Sequence, residues 1–304
     1  MKNNKVLVGT RGSKLAMHQC ERAVSLLKKA APGQEFEIKK IRTLGDKDQD
    51  LALNNTGGVG IFVKELEKAL LAGEIDLAVH SLKDLPTDLP QGLKLGAVTE
   101  REDPRDALIT NGDQKLDQLS SGALLGTGSL RRSVQLRHFR SDLNFVPVRG
   151  NLDTRLRKLR EGQFDALVLA LAGIKRLGRQ DEVTQSLPLD ICLPAAGQGA
   201  VGIEIRSGDE EMESLSIKVD NYLLRCSILA ERMFLNRLGG GCHVPIGALA
   251  NAQGKELVLK GSVVSLDGRE MLKEEKSGDV SSAEEVGISL AEELLAIGAG
   301  ELLQ

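Results

Sequence analysis

The sequence predicts an α/β protein in which two domains with doubly wound sheets precede a smaller α+β domain. Three observations carry that reading. Short apolar runs alternate with amphipathic helical stretches through the first two thirds of the chain. A turn of small residues between a strand and a helix occurs twice, as Gly9-Thr10-Arg11-Gly12-Ser13 and as Gly126-Thr127-Gly128-Ser129. Beyond them the alternation ends, and helical sequence followed by strand-like runs takes over.

Lys5 to Gly9 is a short apolar strand. Ser13 stands where an N-cap belongs, ahead of a helix from Lys14 to Lys29 that carries Leu15, Ala16, Ala23, Leu26 and Leu27 on one side. Glu35 to Arg42 alternates apolar and charged residues as a strand does. Gly45 to Gly60 has no period and reads as a long loop, a kind of segment that often carries function. Phe62 to Leu71 is a helix and Ile75 to Val79 a buried strand. The plan then repeats, with a helix over Leu130 to Phe139, a strand over Phe145 to Val148, a helix over Leu152 to Arg160, a strand over Ala166 to Ala170 and a short helix near Ile174. Either the two halves share one plan, or small residues at strand-to-helix turns coincide. Asp209 to Leu238 is helical sequence, Val244 to Glu270 holds two strand-like runs around Asn251-Ala252-Gln253-Gly254, and Ala283 to Ile297 is a final helix. The third domain begins near residue 218.

Composition narrows the function classes. The 304 residues are 41% hydrophobic and 27% charged, with a net charge of −3, values that fit a soluble globular chain of two or three domains. With no Trp, one Tyr and six Phe, the chain lacks the aromatic platforms and overall basic field of a nucleic-acid binder. No apolar run reaches the roughly 20 residues of a spanning helix, and the first ten residues enter a strand pattern instead of a signal peptide. The expectation is a cytoplasmic protein that binds neither nucleic acid nor membrane. Cys20, Cys192, Cys226 and Cys242 lie far apart without a Cys-x-x-Cys pair, so neither a disulfide framework nor a metal site is expected. The first three sit in apolar surroundings as small buried hydrophobes.

The near-neutral total hides a local excess. Between Arg131 and Arg160 stand nine basic residues, eight of them Arg, against only Asp142 and Asp153. Guanidinium is favoured where a carboxylate or phosphate is gripped through two bonds. Arg131 and Arg132 fall in the first turn of a helix, where backbone amides and the dipole also attract anions, and Arg149 follows a strand at the end where open α/β sheets place ligands. Arg11 and Ser13 are placed the same way in the first domain. Lys83 and Asp84 follow a buried strand in Ser81-Leu82-Lys83-Asp84-Leu85-Pro86, and a carboxylate there can exchange protons, although on residue types and spacing alone an ordinary turn is the leading reading. Near the end, Gly239-Gly240-Gly241-Cys242-His243 is either a helix C-cap with a turn or a loop that leaves a thiol open to covalent chemistry. From Asp267 onward, ten acidic residues against Arg269, Lys273 and Lys276 read as a solvated face.

The segment Glu231 to Gly247 resembles the cofactor-attachment signature of the porphobilinogen deaminase (hydroxymethylbilane synthase) family. The resemblance continues through Gly9 to Ala16, Phe62 to Glu67, His80 to Pro86, Gly126 to Arg132, Arg149 to Arg155 and Leu193 to Gly199, and so covers nearly the whole chain. It implies two domains like those of periplasmic binding proteins, residues 1–98 with 199–217 and residues 99–198, and a third domain over 218–304. It also implies a monomeric transferase that joins four porphobilinogen molecules head to tail into hydroxymethylbilane, releasing four ammonia, in tetrapyrrole biosynthesis. The growing chain is built on a dipyrromethane cofactor bound through a thioether to Cys242. By the same resemblance Asp84 is catalytic; Ser81, Lys83, Thr127, Ser129, Arg131, Arg132 and Arg155 hold the cofactor; and Arg11, Ser13, Gln19, Arg149 and Arg176 hold substrate. Arg22 is a further candidate. One departure stands out: Gly57-Gly58-Val59-Gly60, with Asn54 and Asn55 before it, lacks the lysine usual in the family, so the loop is expected to cover the site without supplying a cation. The alternative from another class is a non-catalytic small-anion binding protein of periplasmic-receptor fold.

Overall fold

The computed structural model describes residues 5–42, 63–240 and 244–303. Two compact units emerge, one from residues 1–101 with 200–225 and the other from residues 102–199 with 226–304.

In the first unit, β1 (Lys5–Arg11) leads into α1 (Lys14–Ala30), β2 (Glu35–Ile41), α2 (Lys64–Leu71), β3 (Leu77–Ser81) and β4 (Leu93–Arg101), and the chain returns later as β10 (Ala200–Arg206) and α6 (Glu210–Ile217). The sheet order is β2-β1-β3-β10-β4, with β1 parallel to β2 and β3, and β10 antiparallel to both of its neighbours. Alternation sends Val6, Val8, Leu77 and Val79 to one face, where Cys20, Ala23, Val24 and Leu27 of α1 cover them together with Met212 and Leu215 of α6. Ala78 points to the other face, against Leu66, Ala69 and Leu70 of α2. Ser13 caps α1 as expected, its hydroxyl accepting from Ala16 N at 3.2 Å.

The second unit repeats the plan with β5 (Asp106–Thr110), β6 (Leu124–Gly126), α3 (Leu130–Phe139), β7 (Asn144–Val146), α4 (Leu152–Arg160), β8 (Ala166–Ala170), α5 (Leu171–Arg176) and β9 (Gln185–Ser186). Its order, β7-β6-β8-β5-β9, again has three parallel strands followed by one antiparallel to both neighbours. The paired small-residue turns are thus equivalent points of two sheets with one topology. The same unit holds most of α7 (Tyr222–Arg237) and an antiparallel sheet of β11 (Ile246–Gln253), β12 (Glu256–Val264) and β13 (Met271–Asp279), covered by α8 (Ala283–Ala296) and followed by α9 (Ala299–Leu302).

The structure amends the sequence reading in four places. β4, β5, β9 and β10 were not anticipated. The helical stretch after Asp209 breaks between α6 and α7, where Asp220 accepts from Val98 N at 2.7 Å and Asn221 from Leu224 N at 3.1 Å. The acidic segment after Asp267 includes a third strand, β13, because an edge strand pairs on one side only and tolerates alternating Lys and Glu. The strand expected over Phe145 to Val148 ends at Val146.

Candidate active site

In the first unit the site is built where β1 and β3 end. The Leu-x-x-Leu spacing after Ser81 does the local work: Leu82 and Leu85 are buried, and the single 3-10 turn between them, closed by Leu85 N donating to Leu82 O at 3.2 Å, leaves Lys83 and Asp84 half-exposed. Gly202 of β10 makes room for that turn, since a Cβ there would stand 2.5 Å from Leu82 Cδ2. Ser81 Oγ donates to Gln19 Oε1 of α1 at 2.9 Å, and Gln19 is buried. Arg11, Ser13, Gln19, His80, Ser81 and Asp84 line one cavity of about 70 Å³. The cavity has room for a carboxylate arm and some water, and it sets a guanidinium and the N-terminus of α1 in the same space as a carboxylate. Arg22, one turn further along α1, is paired with Glu100 at 2.6 Å on the surface.

In the second unit the equivalent end of the sheet holds charge of the other balance. Asp106, at the start of β5, is fully buried, and the first turn of α3 brings both arginines to it: Arg131 Nη1 lies 2.8 Å from one oxygen and Arg132 Nη2 2.7 Å from the other. Arg132 Nε adds a bond at 2.9 Å. Burial on its own would raise the Asp106 carboxyl, but the two guanidiniums outweigh it and hold the group well below the ordinary carboxylate range. Gln198 Nε2 donates to Asp106 at 2.9 Å and to Pro104 O at 2.7 Å, while Arg131 also donates to Leu193 O at 2.7 Å. Gly197 and Gly199, at φ +73° and +84°, supply the left-handed backbone that turns Gln198 inward. Arg176 Nη2 donates to Gly199 O at 2.7 Å, and Arg155 Nε to Gly150 O at 2.8 Å. Burial, and Arg132 beside it, hold the Arg155 guanidinium below its usual value. Thr127 Oγ1 accepts from Ser129 N at 3.3 Å, ordering the turn into α3.

The remaining arginines of the segment do other work. Arg137 lies over the Phe145 ring at 5.2 Å, Arg140 pairs with Asp142 and bonds Leu116 O and Leu119 O, and Arg157 and Arg160 form surface pairs with Glu161 and Glu182. Arg149 stays exposed beyond β7. Asp106 and Gln198 were missed by the sequence reading, because an Asp after Pro and Arg at a strand start reads as a turn residue. Cys242 and the Gly45–Gly60 loop with Asn55 and Val59 lie outside the described residues. Among the described residues no cluster of His, Cys, Asp and Glu suits a metal ion.

Two family models match the chain: the porphobilinogen deaminase dipyrromethane cofactor binding domain over residues 6–214, and the porphobilinogen deaminase C-terminal domain over residues 225–296. Proteins named porphobilinogen deaminase are similar along almost the full length. That of Pelotomaculum thermopropionicum is 52% identical over 299 residues, 98% of this chain and 96% of its own. That of Desulforudis audaxviator is 51% identical over 298 residues, with the same coverage. That of Geobacter sulfurreducens is 49% identical over 300 residues, 99% of this chain and 94% of its own. Among solved structures, the methionine binding protein MetQ covers 71% of this chain and 89% of its own at 16% identity, with a TM-score of 0.46.

Proposed function

This chain belongs to the porphobilinogen deaminase family, transferases that make hydroxymethylbilane from porphobilinogen on a dipyrromethane cofactor, and on that premise we propose that Asp84 is its catalytic carboxylate. The observation that carries the proposal is the cavity in which Asp84 stands with Arg11, Ser13 and Gln19. Loss of ammonia breaks the carbon–nitrogen bond of porphobilinogen with the electron pair leaving on nitrogen, and positive charge is left on the methylene carbon and the pyrrole ring. A carboxylate fixed between two buried leucines is poised to accept from the ring N–H and to stabilise that charge, the inverse of an oxyanion hole. Once the new carbon–carbon bond has formed, the attacking pyrrole carbon gives up its proton, for which the same carboxylate is an acceptor. Arg11, Ser13 and Gln19 bind the acetate and propionate arms, aided by the α1 N-terminus, at roughly 1.5–3 kcal/mol per charged bond.

For the cofactor we propose Cys242 as the covalent anchor, with Ser81, Lys83, Thr127, Ser129, Arg131, Arg132 and Arg155 as its holders, and Arg149 and Arg176 for substrate carboxylates. The second unit suits a polycarboxylate. Arg131 Nε is buried without a hydrogen-bond partner, and Arg155 is desolvated beside Arg132, strains that an arriving carboxylate relieves. When bound, the dipyrromethane supplies the free pyrrole carbon from which the chain grows. We also propose a monomer in the cytoplasm that binds neither nucleic acid nor membrane. Cys20, Cys192 and Cys226 are free thiols, as suits a reducing compartment, and among the described residues no helix is long and apolar enough to cross a membrane. The receptor alternative has no support among the named relatives.

Intact mass tests the assignment. Asp84→Ala is expected to carry the cofactor adduct yet not turn over; near-normal turnover removes Asp84 from the chemistry. Cys242→Ser is expected to lack the adduct, and a stable adduct in that variant excludes its sulfur as the anchor.

A further inference from the structure

Two consecutive residues at the end of β3 are held on opposite faces of the sheet. Ser81 bonds Gln19 on the α1 side. His80 is on the α2 side, where its ring Nε2 meets Glu204 Oε2 of β10 at 2.9 Å. The register sets Glu204 opposite Ala78, so Ala78, His80 and Glu204 share the face that α2 covers. Glu67 is among the buried residues of α2, the helix that packs on β3 and β10, and all three side chains are buried, Glu204 completely. Leu66, Ala69, Leu70 and Ile75 make the surroundings apolar. Glu67 Oε1 and Glu204 Oε1 are both buried without a hydrogen-bond partner. Two carboxylates and one imidazole in so little water make an unfavourable arrangement unless protons neutralise part of it. The reaction as derived above uses none of the three, although His80 also borders the cavity in which Asp84 stands.

We propose that Glu67, His80 and Glu204 form a brace behind Asp84, a positioning unit that fixes the end of β3 from the α2 face and loosens when Glu67 ionises. The inference rests on the reading of Asp84 as the catalytic carboxylate. Its mechanical basis is short: His80 is four residues from Asp84, and the 3-10 turn between them has little freedom once Ser81, Leu82 and Leu85 are seated.

The charges that face Glu67 give the sign. Burial pushes its carboxyl upward first, and Glu204 adds to this; His80 and Lys64 act in the opposite sense, and Glu65 adds a smaller upward push. β4 meets α2 through Leu93, and Arg206 at the far end of β10 is engaged with Leu70 O and Ile75 O. A carboxyl raised in the folded state above its ordinary 4.5 contributes stability that is full below that value and is lost as pH rises through the folded one.

The test compares Glu67→Gln, Glu204→Gln and Asp84→Ala with wild type, all as holoenzyme. Thermal midpoints are followed from acid to neutral pH without substrate, kcat and KM over the same range, and amide exchange at Ser81 to Asp84. Glu67→Gln, a permanently uncharged mimic, is expected to sit above wild type at neutral pH and to lose the decline that wild type shows with rising pH. Glu204→Gln is expected to lower kcat roughly tenfold with KM changed less than about twofold, and to speed exchange at the turn. Should that variant not fold, His80→Gln takes its place with the same expectation. A Glu67→Gln curve parallel to wild type, or a folded Glu204→Gln or His80→Gln enzyme with wild-type kcat, overturns the brace. Turnover in Asp84→Ala overturns the reading of Asp84, and the thermal curves then judge the brace alone.

Discussion

Arg132 reaches Asp106 through two nitrogens, Nε at 2.9 Å and Nη2 at 2.7 Å, and both contacts fall on one carboxylate oxygen. The other oxygen belongs to Arg131. The cluster of two arginines and one carboxylate therefore carries one net positive charge, and its guanidiniums are locked in direction. Without Asp106, two buried cations would repel each other at the start of α3; with it, the cluster remains cationic but ordered, which is what recognition of a carboxylate needs.

Asp106→Asn keeps the shape and removes the charge. Two buried guanidiniums are then left without their counter-ion, and the expected loss is about 3–5 kcal/mol in denaturant unfolding at neutral pH. The folded carboxyl lies below its ordinary 3.8, so its contribution is present above that value and is lost as pH falls through the folded one. The gap between wild type and Asp106→Asn is thus expected to be constant from neutral pH down to about pH 4 and to close only in strong acid. A gap that closes well above that point contradicts the ion-pair assignment.

Cys192 donates to the same carboxylate at 3.4 Å, and burial together with Asp106 pushes its thiol up to about 12. Cys20 is likewise pushed up to about 12, chiefly by burial. Neither forms appreciable thiolate at mildly alkaline pH, so peptide mapping after iodoacetamide treatment of the native enzyme is expected to leave both unmodified. Denaturation exposes both. Rapid native labelling of Cys192 would mean that the Asp106 cluster opens readily.

Much of this was legible in the sequence, for reasons that vary with the residue. Leu130–Phe139 reads correctly because the small-residue turn that ends at Ser129 marks where the helix begins. The Arg-rich segment reads correctly as unusual but not as one site, since what separates Arg131 and Arg132 from Arg157 and Arg160 is a buried partner, Asp106, far back in the sequence in one case and a local or surface Glu in the other. Asp106 is invisible for that reason: its partners are set by β5 lying antiparallel to β8, a long-range pairing. Glu204 did leave a trace, a single charge inside the apolar run Ala200 to Ile205, where a buried charge asks for a partner. β13 left none, because an exposed edge strand has no apolar face to reveal.

That sorting predicts a contrast between two arginines of one segment. Arg157 makes an exposed i, i+4 pair with Glu161, and Arg157→Ala is expected to change stability by less than about 0.5 kcal/mol and to leave the ladder of enzyme-bound intermediates intact. Arg149→Ala is expected to stall chain growth. Mass-resolved intermediates read both outcomes, and equal behaviour of the two variants would return Arg149 to the solvated surface.

Ser81 and Gln19 offer the sharpest test of how the cavity is held. The hydroxyl donates to a side chain that is 3% exposed, so Ser81→Ala leaves a buried acceptor without its donor, an expected loss of about 1–3 kcal/mol. Gln19→Met leaves Ser81 half-exposed and free to turn to water, a smaller loss. When both are replaced the orphaned acceptor is gone, so the double variant is expected to be more stable than the sum of the single losses implies, with a coupling of at least about 0.5 kcal/mol. Turnover separates contact from chemistry. If Ser81 serves only to anchor α1 against β3, kcat tracks stability and recovers in part in the double variant; if it also orders the turn that presents Asp84, kcat stays low in Ser81→Ala and in the double variant alike while the Cys242 adduct still forms.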